Sequence, residues 1–463
     1  MGEVINMGKR KIAVGNLPGS KAEQANYVAR CMRNRCVWIA EWDKWIFWDG
    51  NCWRLDHGGA MTQAVVRDAL ENCYQLALDN GVDEKSYEFK LNDFRKTGAD
   101  DWNKVMRTTH SVEGVKESHE NLGLKKNILP LKNGTLDLQN GLLMQSNPLD
   151  LMMHCAPVAF DPDAECLLWH AFLDSVLPDK DVKNFFQTMF GYCLTGEVKA
   201  QKFFYLYGEG ANGKSTALDI LQALLGSYLT QGNPSLIVQG KDEHATAVAD
   251  LHGKRVAAFN EVSEGARLNE TSVKMLTGGD VMKARRMRED FWQFEPTHKV
   301  IISGNHKLSV SGSDNAIWRR PILIKFPNQI PENQRDPHLT EKLKKELPGI
   351  LNWALEGAMN YYREGLKVPA ILEQETASYR EQSDWCQEVI DEEFELNNTR
   401  DTDCALVMSR FKNYFDRHSE KPKSSMAIYA ALERKGLRKI KKNGRRYIRG
   451  LATRSNGIEP FED

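Results

Sequence analysis

Gly208-Glu-Gly-Ala-Asn-Gly-Lys-Ser215 is a complete G-x-x-x-x-G-K-[ST] run, the residue pattern that cradles a chain of phosphates. Gly208, Gly210 and Gly213 let backbone N–H groups converge on phosphate oxygens with no Cβ in the way. Glu209, Ala211 and Asn212 complete the loop, Lys214 is placed to reach the β- and γ-phosphates, and the Ser215 hydroxyl, followed by Thr216, to ligate Mg²⁺. The implied chemistry is binding of a nucleoside triphosphate, with ATP and Mg²⁺ as the expected pair. Downstream, Arg255-Val-Ala-Ala-Phe-Asn-Glu261 is an apolar run ending in polar residues. Glu261 is the candidate base that polarises the attacking water. Asn260 stands on the metal side as an amide, so the metal is expected to rest mainly on Ser215 and phosphate. Asn305 ends a second apolar run, Lys299–Asn305, where it could touch the γ-phosphate or orient water. Arg319 and Arg320 directly precede Pro321-Ile-Leu-Ile-Lys-Phe326 and suggest an arginine finger. An ordinary core strand at 255–261 and a surface salt-bridge pair at 319–320 are the plainer alternatives.

These groups need a strand before the glycine run and a helix after it. Phe203-Phe-Tyr-Leu-Tyr207 supplies the first, and Leu218, Leu221, Leu224 and Leu225 recur at helical spacing. Five of the eleven tryptophans lie between residues 38 and 53, where Asp49-Gly50 predicts a hairpin turn between aromatic strands. Cross-strand core packing explains them better than base stacking. Helical patterns are expected at 60–80 and 84–120, and a turn at Asn133-Gly-Thr-Leu-Asp137. A helix capped by Asp161-Pro-Asp-Ala-Glu165 should bury Leu168, Phe172 and Val176, and a second helix should span Val182–Leu194. The nucleotide-binding unit is expected to begin near residue 195.

Composition mainly excludes. The 463 residues carry a net charge of −1, so contact with nucleic acid must come from local basic clusters. Nine scattered cysteines show no CxxC pair and no zinc spacing, which suits free thiols in a reducing compartment. No signal-peptide pattern and no run of about 18 apolar residues is present, so a soluble, cytoplasmic protein without membrane contact is expected. Between Lys435 and Arg449 there are eight basic residues and no acidic one, among them Lys439, Lys441, Lys442, Arg445 and Arg446. A helix at 426–434, strands at 437–440 and 447–451 and an Asn443-Gly444 turn suggest a winged helix-turn-helix, its first helices near 385–395 and 406–416. A basic tail that merely solvates the domain is the plainer alternative.

In order and spacing these motifs resemble superfamily 3 helicases: the phosphate loop, Asn260-Glu261 and Ser303-Gly-Asn305 fall within about 100 residues. Lys274-Met-Leu-Thr-Gly-Gly-Asp280, Ala284-Arg-Arg286 and Phe294-Glu-Pro296 look like that family's B′ motif. More narrowly, the chain is similar to phage/plasmid and poxvirus-type primase-helicases over roughly 125–385. Asn133–Asp137, Gly191-Tyr-Cys-Leu-Thr-Gly196, Ile317-Trp-Arg-Arg320 and Pro348-Gly-Ile-Leu-Asn-Trp353 carry that likeness.

The resemblance implies an AAA+-like core assembled as a ring, usually a hexamer, that translocates on single-stranded DNA. Nucleotide would lie between subunits and the finger would act in trans, with Arg320 matching it better than Arg319. The B′ segment would be a channel hairpin carrying Arg285, Arg286 and Arg288 as a positive collar, a solvated charged turn being the plainer reading. Many relatives carry an upstream primase module. Here fewer than about 130 residues precede the matching part and no zinc ligands occur there, so a helicase without primase activity is expected, with a separate primase as an open partner.

The expected fold is therefore α/β: an AAA+-like P-loop ATPase core flanked by an α+β N-terminal region and a C-terminal winged helix-turn-helix. Its divisions would be 1–120, a mainly helical oligomerisation region at 121–195, the ATPase at 196–330, a helical segment at 331–384 and the DNA-binding module at 385–463. Expected partners are single-stranded and forked DNA, origin duplex DNA and further copies of this chain. The leading reading is a replicative helicase of a phage, plasmid or integrated element. An ATP-switched initiator or loader is the alternative, and a small-molecule kinase a weaker third because no acceptor site is visible.

Overall fold

The computed structural model describes residues 21–79, 99–239, 245–260, 267–286, 290–305, 307, 310, 315–382, 385–418 and 422–454. Its N-terminal unit is a four-stranded sheet of order β3-β2-β1-β4, with β1 Cys36–Ile39, β2 Lys44–Trp48, β3 Trp53–Leu55 and β4 Lys116–Glu117. Helices Lys21–Met32, Ala60–Asp79 and Ala99–Thr109 cover one face. The tryptophan cluster is core packing: Trp38 stands opposite Trp45 and Trp48 opposite Trp53, with ring centroids 5.4 and 5.7 Å apart. The turn between β2 and β3 has four residues, and the Asp49 carboxylate closes it by accepting from the Asn51 and Cys52 N–H groups at 2.8 Å. The helix expected over 84–120 is shorter. It ends at Thr109, Gly114 turns the chain at φ 83°, and β4 then adds parallel to β1, while residues 80–98 lie outside the described ones.

β5 Ile128–Leu131, β6 Gly134–Asp137 and β7 Leu143–Met144 form an antiparallel sheet that leads to helices Leu167–Val176 and Lys180–Leu194. The Asp161–Glu165 segment does not cap the first of these. The Leu168 and Trp169 N–H groups instead donate to the Glu346 carboxylate at 3.1 and 3.0 Å, because the later chain passes across that helix start. Phe172 and Val176 are buried as expected, and Trp169 is buried more deeply than Leu168.

The largest sheet has β8 Phe203–Tyr207, β9 Leu229–Gln231, β10 Val256–Asn260, β13 Lys299–Gly304 and β14 Pro321–Lys325, all parallel, in the order β14-β8-β13-β10-β9. The hairpin β11 Met282–Ala284 and β12 Trp292–Phe294 stands apart from it. β8 is buried throughout, as a parallel strand covered on both faces must be. Phe204 and Leu206 face the Leu167–Val176, Lys180–Leu194, Lys214–Leu225 and Leu347–Glu364 helices. Phe203, Tyr205 and Tyr207 face helix Glu270–Gly278 and Tyr379 of helix Ala370–Gln382. The first core runs without a break from Ile128 to Leu372, so the division expected at 195 coincides with no gap in packing. Gly191 and Gly357 let two of its helices cross closely: a Cβ on Gly191 would lie 1.9 Å from the Ala358 nitrogen.

A separate core, including Val389, Phe411, Phe415, Leu432 and Leu451, holds the C-terminal unit. Helices Trp385–Glu393, Cys404–Arg417 and Ser425–Arg434 pack on an antiparallel sheet β15-β17-β16, with β15 Phe394–Asp403, β16 Lys439–Lys442 and β17 Arg445–Thr453. Asn443 (φ 49°) and Gly444 (φ 81°) make the two-residue hairpin turn read from the sequence.

Candidate functional site

The glycine loop leaves the C-terminal end of β8 and enters helix Lys214–Leu225. Gly208 (φ 148°) and Gly213 (φ 85°) are fixed by crowding as well as by backbone angle: a Cβ on Gly208 would meet the Asn212 Nδ2 at 2.4 Å, and one on Gly213 the Val176 and Phe172 side chains below 3 Å. Ala211, at φ 49°, is a left-handed residue without glycine's freedom, held where its carbonyl accepts from the Ile330 N–H at 2.8 Å. Gln329 donates to the Glu209 carbonyl at 2.6 Å. Ser215 is exposed and Thr216 half-buried on the first helical turn, whose N–H groups have no intrahelical acceptor.

Lys214 is the centre of this arrangement. It is only 5% exposed, and its Nζ donates to the Gly208 carbonyl at 2.7 Å, the Asn212 Oδ1 at 2.9 Å and the Asn305 Oδ1 at 3.4 Å. All three acceptors are neutral, and burial lowers the pKa of the ammonium. Among the described residues no carboxylate forms an ion pair with it. A buried cation with dipoles but no counter-charge is a receptor for an anion. Asn212 is itself buried and donates to the Phe326 carbonyl at 3.2 Å, which ties the loop to the end of β14. The structure thus unites Lys214, Asn212 and Asn305, which are distributed over two loops. Asn260 ends β10, two strands from β8, exposed and donating to Gln231 Oε1 at 3.1 Å. Glu261 lies outside the described residues.

The two arginines part company. Arg320 is buried at 6% exposure, its Nε donating to Thr277 Oγ1 at 3.0 Å and its Nη1 to the Ala316 carbonyl. Arg319 is exposed and donates to Gln201 Oε1 at 3.0 Å. Of the two candidates, Arg319 is therefore the one exposed on the surface of the chain and Arg320 the one held inside it. Both precede β14 beside Phe203, at the opposite end of β8 from the glycine loop. Five strand residues at ~3.3 Å each separate them from the glycine loop by ~16 Å.

Sequence reasoning missed the group behind the loop. The Tyr207 hydroxyl donates to Glu375, which also takes Lys307 Nζ at 2.8 Å. Burial works to raise the Glu375 pKa, but these two donors hold it below the usual carboxylate value. Glu375 belongs to helix Ala370–Gln382, 168 residues from Tyr207, and no local signal links them.

The arginines of the 282–294 hairpin also separate. Arg285 is exposed, whereas the Arg286 guanidinium lies 5.6 Å over the Trp42 ring of the N-terminal unit. Arg288 lies outside the described residues. On the C-terminal unit Lys439, Lys441, Lys442, Arg445 and Arg446 are all exposed along one hairpin. Lys442 is paired with Asp401, and Lys439 Nζ sits 3.9 Å over the Tyr429 ring, which leaves Lys441, Arg445 and Arg446 as the outermost charges.

Residues 25–178 match the family described as D5 N terminal like, and residues 206–320 match a family of unknown function, DUF5906. A helicase-named protein, L207/L206, of Acanthamoeba polyphaga mimivirus is 29% identical over 241 residues, 48% of this chain and 25% of its own length. Primase D5 of fowlpox virus is 26% identical over 206 residues, 42% of this chain and 25% of its own. A primase-named protein, C962R, of African swine fever virus is 24% identical over 271 residues, 53% of this chain and 28% of its own. The matched part thus spans only 25% to 28% of these relatives' lengths. Among solved structures, the apo NrS-1 C terminal region is similar at a TM-score of 0.49 and 10% identity, covering 90% of this chain and 96% of that one.

Proposed function

The chain belongs to the D5-type primase-helicase family, and we propose that it is an ATP-driven replicative DNA helicase that works as a ring on single-stranded DNA. The observation that carries this reading is the buried Lys214 ammonium, held by three neutral acceptors at the mouth of a glycine loop. The five-stranded parallel order, with the glycine-loop strand between β14 and β13, supports an AAA+-like core. The helix and strand order of the C-terminal unit supports a winged helix.

In this reading the first-turn N–H groups and Lys214 bind the β- and γ-phosphates, and Asn212 keeps the lysine aimed before they arrive. Asn305 shares the Lys214 proton donors, so phosphate entering the site changes what Asn305 holds and frees its amide to orient water. The donor set suits Mg²⁺: the exposed Ser215 hydroxyl on the first helical turn would hold it, with Asn260 and Glu261 as the further candidate groups. It would supply neutralisation of the charge on the departing phosphates. Glu261 activates the water as base. Arg319 is presented to the nucleotide of a neighbouring copy, since its own lies across the sheet.

Hydrolysis assays test the site. Lys214→Ala should abolish ATP turnover, and Glu261→Gln should keep nucleotide binding while slowing turnover. Parental turnover in either variant overturns the assignment.

A further inference from the structure

The β11–β12 hairpin sorts its residues by strand alternation. Met282, Ala284, Trp292 and Phe294 are buried against the sheet, and Lys283, Arg285, Phe291 and Gln293 point to solvent. The solvent face is the one on which polar groups are expected, yet it carries the Phe291 ring 52% exposed. Two cations frame that ring: Lys283 Nζ lies 4.8 Å and the Arg285 guanidinium 4.9 Å from its centroid. An aromatic plane flanked by two positive groups offers one surface for a nucleobase and two contacts for the phosphates on either side of it.

We infer that Phe291 is a base-stacking residue for single-stranded DNA, with Lys283 and Arg285 holding the adjoining phosphates. This rests on the proposed motor reading and adds to it. A collar of arginines alone follows the backbone and is indifferent to whether bases are present. A stacking ring grips the bases, tolerating any sequence because every base has a π-face. Binding displaces the two side chains from the ring towards phosphate, so the cation–π contacts seen here are the resting arrangement.

The test uses the full chain and two fluorescently labelled oligomers of equal length, oligothymidylate and its abasic counterpart, followed by anisotropy. Phe291→Ala should weaken binding of oligothymidylate by at least about fivefold and leave binding of the abasic oligomer unchanged. Phe291→Trp should bind oligothymidylate at least as well as the parent. Lys283→Ala with Arg285→Ala should weaken both oligomers alike and reduce the salt dependence of each. Equal loss on both oligomers in Phe291→Ala, or loss on neither, overturns the stacking role while leaving the motor reading intact. If the parental chain binds neither oligomer, the motor reading falls and the stacking role with it.

Discussion

The residue types that point to phosphate chemistry are readable because the pattern is local. The glycines, Lys214 and Ser215 sit within one eight-residue run, so their mutual placement needs little help from the rest of the chain. Asn305 was legible from its place at the end of an apolar run, and it does meet Lys214. The choice between Arg319 and Arg320 was not legible. It depends on Thr277, which lies 43 residues upstream and fixes Arg320 inside the subunit. The two arginines therefore have distinct expected phenotypes. Arg319→Ala should leave nucleotide binding intact and slow hydrolysis by about 10³-fold, as loss of a finger does. Arg320→Ala should lower the denaturation midpoint first, because it removes a buried side chain that donates to the Thr277 hydroxyl and the Ala316 carbonyl. Steady-state hydrolysis and denaturant titration of both variants check this, and the reverse pattern restores Arg320 as the finger.

At the scale of elements, periodicity gave the buried strands and the leucine-spaced helix, whereas pairing partners stayed hidden. β15 is a strand although Glu395, Asn397 and Asn398 are polar, because it is recruited by β17 and bends at a bulge between Leu396 and Asp401. The capping of helix Leu167–Val176 by Glu346 was likewise invisible across 178 residues. The basic β16–β17 hairpin makes a separable prediction. Neutralising Lys441, Lys442, Arg445 and Arg446 should weaken duplex DNA binding and flatten its salt dependence, since fewer counterions are released. The slope should change less than four full charges imply, because Lys442 already faces Asp401. Duplex affinity measured across a salt series decides it, and an unchanged slope removes the hairpin from the DNA interface. Just before β13, His298 is 2% exposed, and burial pushes its imidazole pKa from 6.5 down to about 4. The unfolded chain takes up that proton first, so this contribution to stability is complete above pH ~6.5 and declines as pH falls towards ~4. His298→Gln should flatten the decline in a pH series of denaturation midpoints, and an unaltered profile would assign it to other groups.

For the whole molecule, the surfaces between packed units stayed hidden in the sequence. The stacking of Arg286 on Trp42 joins the 282–294 hairpin to the N-terminal unit, and neither residue carries a sign of the other. Continuous packing from Ile128 to Leu372 puts the helices flanking the glycine loop in one core, with the C-terminal unit built on its own. That layout suits a motor with an attached docking module. An ATP-switched initiator could share every part except coupled translocation. Strand displacement on a forked duplex separates the two most directly, measured alongside hydrolysis for the parental chain and Lys214→Ala. The motor account predicts ATP-dependent displacement by the parent and none by Lys214→Ala. A parent that hydrolyses ATP in the presence of single-stranded DNA yet displaces no strand would contradict it.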